Sequence, residues 1–278
     1  MEKVKIYRNI AKLKDIDMFY FDTRTEGPVI LCLHGRYGRA ETWYDFINQY
    51  GKEYRIIAPD QRGHGLTSKP ESGYTAEEMG EDIIELLKYL NIDSIILVGH
   101  SMGGAIAGHL AALHPEYIKA VAILDESAAD GSDGLSPDEC ELGDLGDPFT
   151  RDWPMPFATL NEAMNFLKEV SGSGLEYQYF MNSLVETADG YSMMFSQRAM
   201  ALIRAHMDDW FDILSDIKCP AMLVRSGSHR GIPDEDFAKM QSMVPDCIAF
   251  EMSDPDHNVH LANKEEFYRY FDQFTLSL

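Results

Sequence analysis

Ile95-Ile96-Leu97-Val98-Gly99-His100-Ser101-Met102-Gly103-Gly104-Ala105 is the stretch that decides the fold. Its apolar, β-branched start reads as a fully buried strand, and the small residues from Gly103 through Gly108 to Ala112 read as a helix packed close behind it. Between the two stands Gly99-x-Ser101-x-Gly103. A serine on a sharp strand-to-helix turn exposes its hydroxyl, and side chains two residues to either side would collide with neighbouring backbone, so glycine is needed at both places. The pentapeptide alone arises by chance in about one chain in ten of this length, so the strand-turn-helix setting carries the weight. That setting makes Ser101 the candidate nucleophile, and the helix dipole favours an oxyanion beside it.

Outward from this turn, short apolar runs alternate with helix-like stretches: Pro28 to Leu33, Tyr54 to Ala58, Ser94 to Val98, Ile118 to Leu124, Ala221 to Val224 and Cys247 to Phe250. Such alternation predicts a mostly parallel sheet covered by helices on both faces. The alternating stretch Ile16 to Phe21 is expected to add an antiparallel edge strand. Thr75 followed three residues later by Glu78 fits a capping box. The helix it starts runs to about Leu90, with Met79, Ile83, Leu86, Leu87 and Leu90 on one face. Between Asp125 and Ala221 the alternation stops. The expected organisation is a core of residues 1–126 and 216–278 interrupted by a helical cap at 127–215.

The chain has 278 residues, with 24 Lys and Arg against 46 Asp and Glu, a formal net charge of −22. That charge repels phosphate backbones and anionic lipid surfaces, which argues against nucleic acid and membrane as partners. No run approaches the ~20 apolar residues of a membrane span, and Met1-Glu2-Lys3-Val4-Lys5 has no apolar stretch behind it as a signal peptide would; the expected location is the cytoplasm. Cys32, Cys140, Cys219 and Cys247 are widely spaced and read as buried free thiols. Asp125 to Asp152 holds ten acidic residues and one basic residue, Arg151. Its Asp130-Gly131-Ser132-Asp133-Gly134 lacks the alternating ligands of a calcium loop, so it reads as solvated acidic loop, and neither a metal nor a cofactor is expected.

Four landmarks together resemble the α/β-hydrolase superfamily over nearly the whole chain. His34-Gly35-Arg36-Tyr37-Gly38 is similar to its oxyanion loop, and Asp60-Gln61-Arg62-Gly63-His64-Gly65 to its D-x-R-G-x-G loop. The serine elbow is third, and Asp256-His257-Asn258-Val259-His260-Leu261 resembles its histidine loop. The resemblance implies structural roles for Asp60 and Arg62, and backbone N–H donors of Arg36 and Met102 for an oxyanion. The Arg36 side chain is left open between greeting a substrate carboxylate, staying solvated and pairing with the acidic loop.

A serine hydroxyl needs a base with a pKa near the operating pH, which histidine supplies. Of nine histidines, the resemblance singles out His257, with a helix beginning near Asn263 after it. His260 competes and is favoured as a packing residue, and His34 as a loop organiser. The family has Gly where this chain has Asp256, a carboxylate that either raises the pKa of His257 or faces solvent.

The third member of a triad fixes the histidine tautomer. In the family's usual acid position, within Gly227-Ser228-His229-Arg230-Gly231-Ile232-Pro233, this chain has His229, which cannot act as a carboxylate. A variant of the family moves the acid to the end of the preceding strand, where Asp125 stands, with the neighbouring Glu126 as the alternative. Asp234, Glu235 and Asp236 read as the first turn of a helix.

The cap's Trp153, Phe157, Tyr177, Phe180, Met193, Met194, Phe195 and Trp210 are candidates for cap core or for an apolar pocket. The expected function is serine hydrolysis of a small-molecule carboxylic ester or lactone through Ser101, His257 and Asp125. Carbon–carbon cleavage of a β-diketone and a binding module with little turnover stay open, as does the oligomeric state.

Overall fold

β-branched, apolar segments pair into one eight-stranded sheet in the computed structural model, which describes residues 3–141 and 146–278. Its strands are β1 (Tyr7–Lys12), β2 (Asp17–Asp22), β3 (Val29–Leu33), β4 (Arg55–Pro59), β5 (Ile95–His100), β6 (Ile118–Leu124), β9 (Ala221–Arg225) and β10 (Cys247–Glu251). Their order is β1-β2-β4-β3-β5-β6-β9-β10, antiparallel for the first two pairings and parallel from β4 to β10. This is the α/β-hydrolase fold that the resemblance implies.

Both faces of the sheet are buried. Leu31, Leu33, Leu97, Val121 and Ile123 join one apolar cluster with α2 (Ala76–Leu90) and α3 (Met102–Leu113), while Ile30, Cys32, Ile96, Val98, Ala120 and Ala122 join a second with α1 (Tyr44–Tyr50) and α10 (Lys264–Thr275). Alternate residues of each central strand therefore serve opposite layers, which is why these strands read as continuous apolar runs. The capping box of α2 forms as expected: Glu78 N donates to Thr75 Oγ1 at 3.1 Å, and Thr75 N donates to Glu78 Oε2 at 3.1 Å. Met79, Ile83, Leu86 and Leu87 are its buried face.

The expected edge strand exists as β2, yet it is not the edge. β1 pairs along its outer side. In β1 only Ala11 is fully buried and Arg8, Ile10 and Lys12 are exposed, so the apolar signal that marks the inner strands is missing.

Between β6 and β9 lie α4 (Pro137–Glu141), α5 (Leu160–Val170), α6 (Gly174–Asn182), α7 (Gln197–Ala205) and a 3₁₀ turn at Phe211–Asp216. They are joined by a hairpin the sequence reading did not contain, β7 (Leu184–Thr187) with β8 (Gly190–Met193). Its signal was Asp189-Gly190 between two short alternating runs, and Gly190 takes φ +129° there. Aromatic rings pack this segment onto the sheet's apolar cluster: Trp153 meets Phe180 at 5.2 Å and Phe166 at 5.5 Å between ring centroids, and Tyr37 meets Phe180 at 5.8 Å. Of the acidic stretch Asp125 to Asp152, residues 142–145 lie outside the described residues, as do Met1 and Glu2 of the start. After β9 come α8 (Asp234–Met243), whose first turn holds Asp234, Glu235 and Asp236 as expected, and the short α9 (Val259–Ala262). All four cysteines are free, Cys32 and Cys140 buried and Cys219 and Cys247 half-buried. No described helix is long and apolar enough to cross a membrane.

Candidate active site

Ser101 sits between β5 and α3 with φ +53° and ψ −128°, a conformation costly for any residue with a side chain. The glycines make it affordable. A Cβ at Gly99 would lie 2.0 Å from the Gly103 carbonyl oxygen, and one at Gly103 would lie 2.6 Å from the Leu33 oxygen.

Asp125 follows the last residue of β6 with φ +48° and is fully buried. Its Oδ1 accepts the Ser226 N–H at 2.7 Å, and its Oδ2 lies 2.8 Å from His257 Nδ1. An ionised carboxylate only accepts, so this contact places the imidazole proton on Nδ1 and leaves Nε2 as the acceptor. Desolvation opposes protonation of His257. That is the largest single effect, but the hydrogen bond and charge of Asp125, with the charges of Glu126 and Asp256, together outweigh it and raise the pKa above the ordinary value. Asp256 faces the protein rather than bulk solvent: it accepts from Ser173 Oγ at 2.7 Å and from Asn258 N at 2.9 Å. Those bonds outweigh the opposing effect of burial and hold its carboxyl below the usual range.

Glu126 is buried but makes no hydrogen bond to His257, so the side chain brought to the imidazole is that of Asp125. His229, at the family's usual acid position, instead contacts Asp234 at 3.0 Å and Glu251 at 3.1 Å. The loop between β9 and α8 contributes in another way. A Cβ at Gly231 would fall 2.7 Å from Asp125 Oδ2, so only glycine lets that loop close over the carboxylate.

The remaining histidines divide as their surroundings dictate. His34 is a loop organiser, with Nδ1 2.8 Å from the Gly35 oxygen and Nε2 accepting from Gln61 N at 2.9 Å; burial pushes its pKa down to about 4. His260 stacks on Trp43 at 4.3 Å, and burial holds its pKa near about 3, so it packs as a neutral ring. His100 donates from Nε2 to the main-chain oxygen of His257 at 2.9 Å. Asp60 accepts from Ala40 N and Leu66 N, and Arg62 pairs with buried Asp82 at 2.5 and 2.6 Å, contacts that organise their loop.

Among the described residues, neither Arg36 N nor Met102 N donates to another group, and both stand beside Ser101 in sequence or space. The Arg36 side chain turns to the acidic segment, 3.2 Å from Asp147 Oδ1, while its residue also lines the cavity at Ser101. Ser101, His257, Gly35, Arg36, Tyr179 and Phe180 line a small cavity of about 180 Å³. Of the eight apolar candidates from the insertion only Phe180 lines it, and Trp210 lines a second cavity. Tyr179, absent from the candidates, closes the first: its hydroxyl donates to the Gly35 oxygen at 3.1 Å. With Ser173 on Asp256, this ties the start and the middle of α6 to the loops beside His257 and Arg36. Neither residue carries a sequence signal, because polar side chains on or beside a helix look alike whatever they touch.

The model of the alpha/beta hydrolase fold family matches residues 28–170, just over half of the chain. The chain belongs to this family. This α/β hydrolase is 43% identical over 102 residues to the AB hydrolase superfamily protein YfhM of Bacillus subtilis, an alignment of 34% of this chain and 35% of that protein, and so spans about a third of that relative's length. It is 26% identical over 263 residues to the 2-(acetamidomethylene)succinate hydrolase of Mesorhizobium japonicum, covering 92% of this chain and 91% of that one. Among solved structures, E-2-(acetamidomethylene)succinate hydrolase superposes with a TM-score of 0.81 at 22% identity, covering 98% of this chain and 99% of the other. An esterase from Exiguobacterium antarcticum superposes with a TM-score of 0.74 at 19% identity, covering 96% and 99%. The two superpositions speak for the fold, and the family match places the chain among the α/β hydrolases.

Proposed function

We propose that the protein is a serine hydrolase that cleaves a small carboxylic ester or lactone through Ser101, His257 and Asp125. The observation that carries this reading is the 2.8 Å contact of Asp125 Oδ2 with His257 Nδ1, made by a histidine that shares one cavity with Ser101. His257 Nε2 takes the Ser101 proton as Oγ attacks the carbonyl carbon. The oxygen that becomes negative is held by the Arg36 and Met102 N–H groups. His257 returns its proton to the leaving alcohol, leaving an acyl-enzyme, and a water activated by the same nitrogen then releases the acid. Asp125 keeps the ring in the tautomer that accepts at Nε2 and stabilises the imidazolium that forms. Each oxyanion donor is worth about 3 to 4 kcal/mol in the transition state.

A cavity of about 180 Å³ under Tyr179 favours a short acyl group. Turnover of p-nitrophenyl acetate and butyrate by wild type and by Ser101→Ala tests the reading, together with labelling by a fluorophosphonate. The expected result is turnover and labelling that both vanish in Ser101→Ala. Turnover that survives the change, or no labelling of the wild type, would remove Ser101 as nucleophile.

A further inference from the structure

A second cavity, of about 280 Å³, lies along the face of α3 formed by Met102, Ala105, Ile106 and His109, and it shares no lining residue with the cavity at Ser101. Its inner wall is apolar and aromatic: Met102, Ile106, Ile203, Tyr74 and Trp210 are all buried. Into this wall is set one carboxyl group. Glu126 is 7% exposed and, among the described residues, forms neither a hydrogen bond nor an ion pair. Burial pushes its pKa up to about 7 even though His257 and Arg36 draw it down.

The rim repeats the sign of the charge. Asp208, Asp209 and Asp212 are exposed there, as is Glu77, which is 3.4 Å from His109, and no Lys or Arg is among the lining residues. Such a rim raises the local concentration of cations and repels anions. Aromatic walls with a single carboxyl at their base do not offer the six to eight oxygen ligands of a hard metal ion. They do suit an organic cation, which gains a charge-assisted hydrogen bond at one end, ring faces around its charge and apolar contact along its body.

We propose that this cavity binds a small organic ammonium ion with an apolar body, with Glu126 as its counter-ion. The two cavities share no lining residue, and binding is read without turnover, so the test stands whether or not Ser101 is a nucleophile. Titration calorimetry of the full chain at pH 8 with 2-phenylethylammonium chloride and with 2-phenylethanol tests it. These two probes match in body and differ in charge. The ammonium ion is expected to bind wild type at least tenfold more tightly than the alcohol, a comparison that needs no variant. In Glu126→Gln, checked for an unchanged far-ultraviolet spectrum, the ammonium ion should lose at least tenfold in affinity while the alcohol changes less than twofold. Equal affinities in wild type, no ammonium binding at millimolar concentration, or an ammonium affinity that survives in a folded Glu126→Gln would each overturn the assignment.

Discussion

Replacing Asp125 with Asn exchanges one carboxylate oxygen for an amide nitrogen at nearly constant volume in a fully buried position. The amide oxygen can still accept the Ser226 N–H, 2.7 Å from Oδ1 in the wild type. The amide nitrogen then meets His257 Nδ1 across 2.8 Å, and two donors cannot face each other. The ring responds by carrying its proton on Nε2, where it can no longer accept from Ser101. In a serine protease triad the corresponding change lowers kcat by about 10⁴-fold, which is about 5 kcal/mol of barrier. We expect a loss of that order with p-nitrophenyl acetate. Folding should lose less, about 1 to 3 kcal/mol, because one of the two hydrogen bonds to a charged group survives. The pH profile gives a second readout. Asp125 raises the pKa of His257, and the reaction needs the neutral ring, so the acid limb of kcat/KM lies above the ordinary histidine value in wild type. In Asp125→Asn the residual activity should show that limb displaced to lower pH. A folded variant within tenfold of wild-type turnover, with its acid limb unmoved, would refute the reasoning.

Other expectations follow from single distances. Gly231→Ala places a methyl 2.7 Å from Asp125 Oδ2 and should lower turnover at least tenfold with a small change in melting temperature, read by parallel kinetics and thermal melts. In Gly103→Ala the new carbon meets the main-chain oxygens of Leu33 at 2.6 Å and His34 at 2.8 Å, groups that cannot swing away. We expect about 1 to 3 kcal/mol of destabilisation in urea and loss of fluorophosphonate labelling. Arg36→Ala removes a partner of Asp147, whose side chain is 1% exposed, and should cost about 1 to 3 kcal/mol. Because that guanidinium is already paired, anionic and neutral esters should be affected alike. A selective loss of anionic substrates would instead show that Arg36 serves substrate.

Ser101 and its two glycines were legible in the chain because their constraint is local: three residues of one turn must avoid backbone only a few residues away or on the adjoining strand. The parallel strands were legible for a related reason, since burial on both faces leaves continuous apolar runs of known length. The capping box of α2 likewise lies within four residues. Where the sequence reading stopped short, the deciding contact joined distant segments. Asp125 and Glu126 are adjacent carboxylates at the end of one strand, and nothing in their neighbours tells which one faces His257, 131 or more positions later. The twist of β6 into its loop decides it, sending Asp125 to the imidazole and Glu126 into the cavity along α3. The side chain of Arg36 found Asp147 only because α6 and the acidic segment fold over the oxyanion loop. Tyr179, Ser173 and Gly231 matter through packing across the interface between insertion and sheet, and β1 escaped notice because an edge strand buries too little to leave a pattern. The chain by itself determined a hydrolase elbow in an α/β sheet, since turn sterics and strand burial are written in short-range pattern. Which carboxylate meets His257, and what closes over them, was decided by the tertiary structure, since those choices depend on the directions of side chains brought together from separate loops.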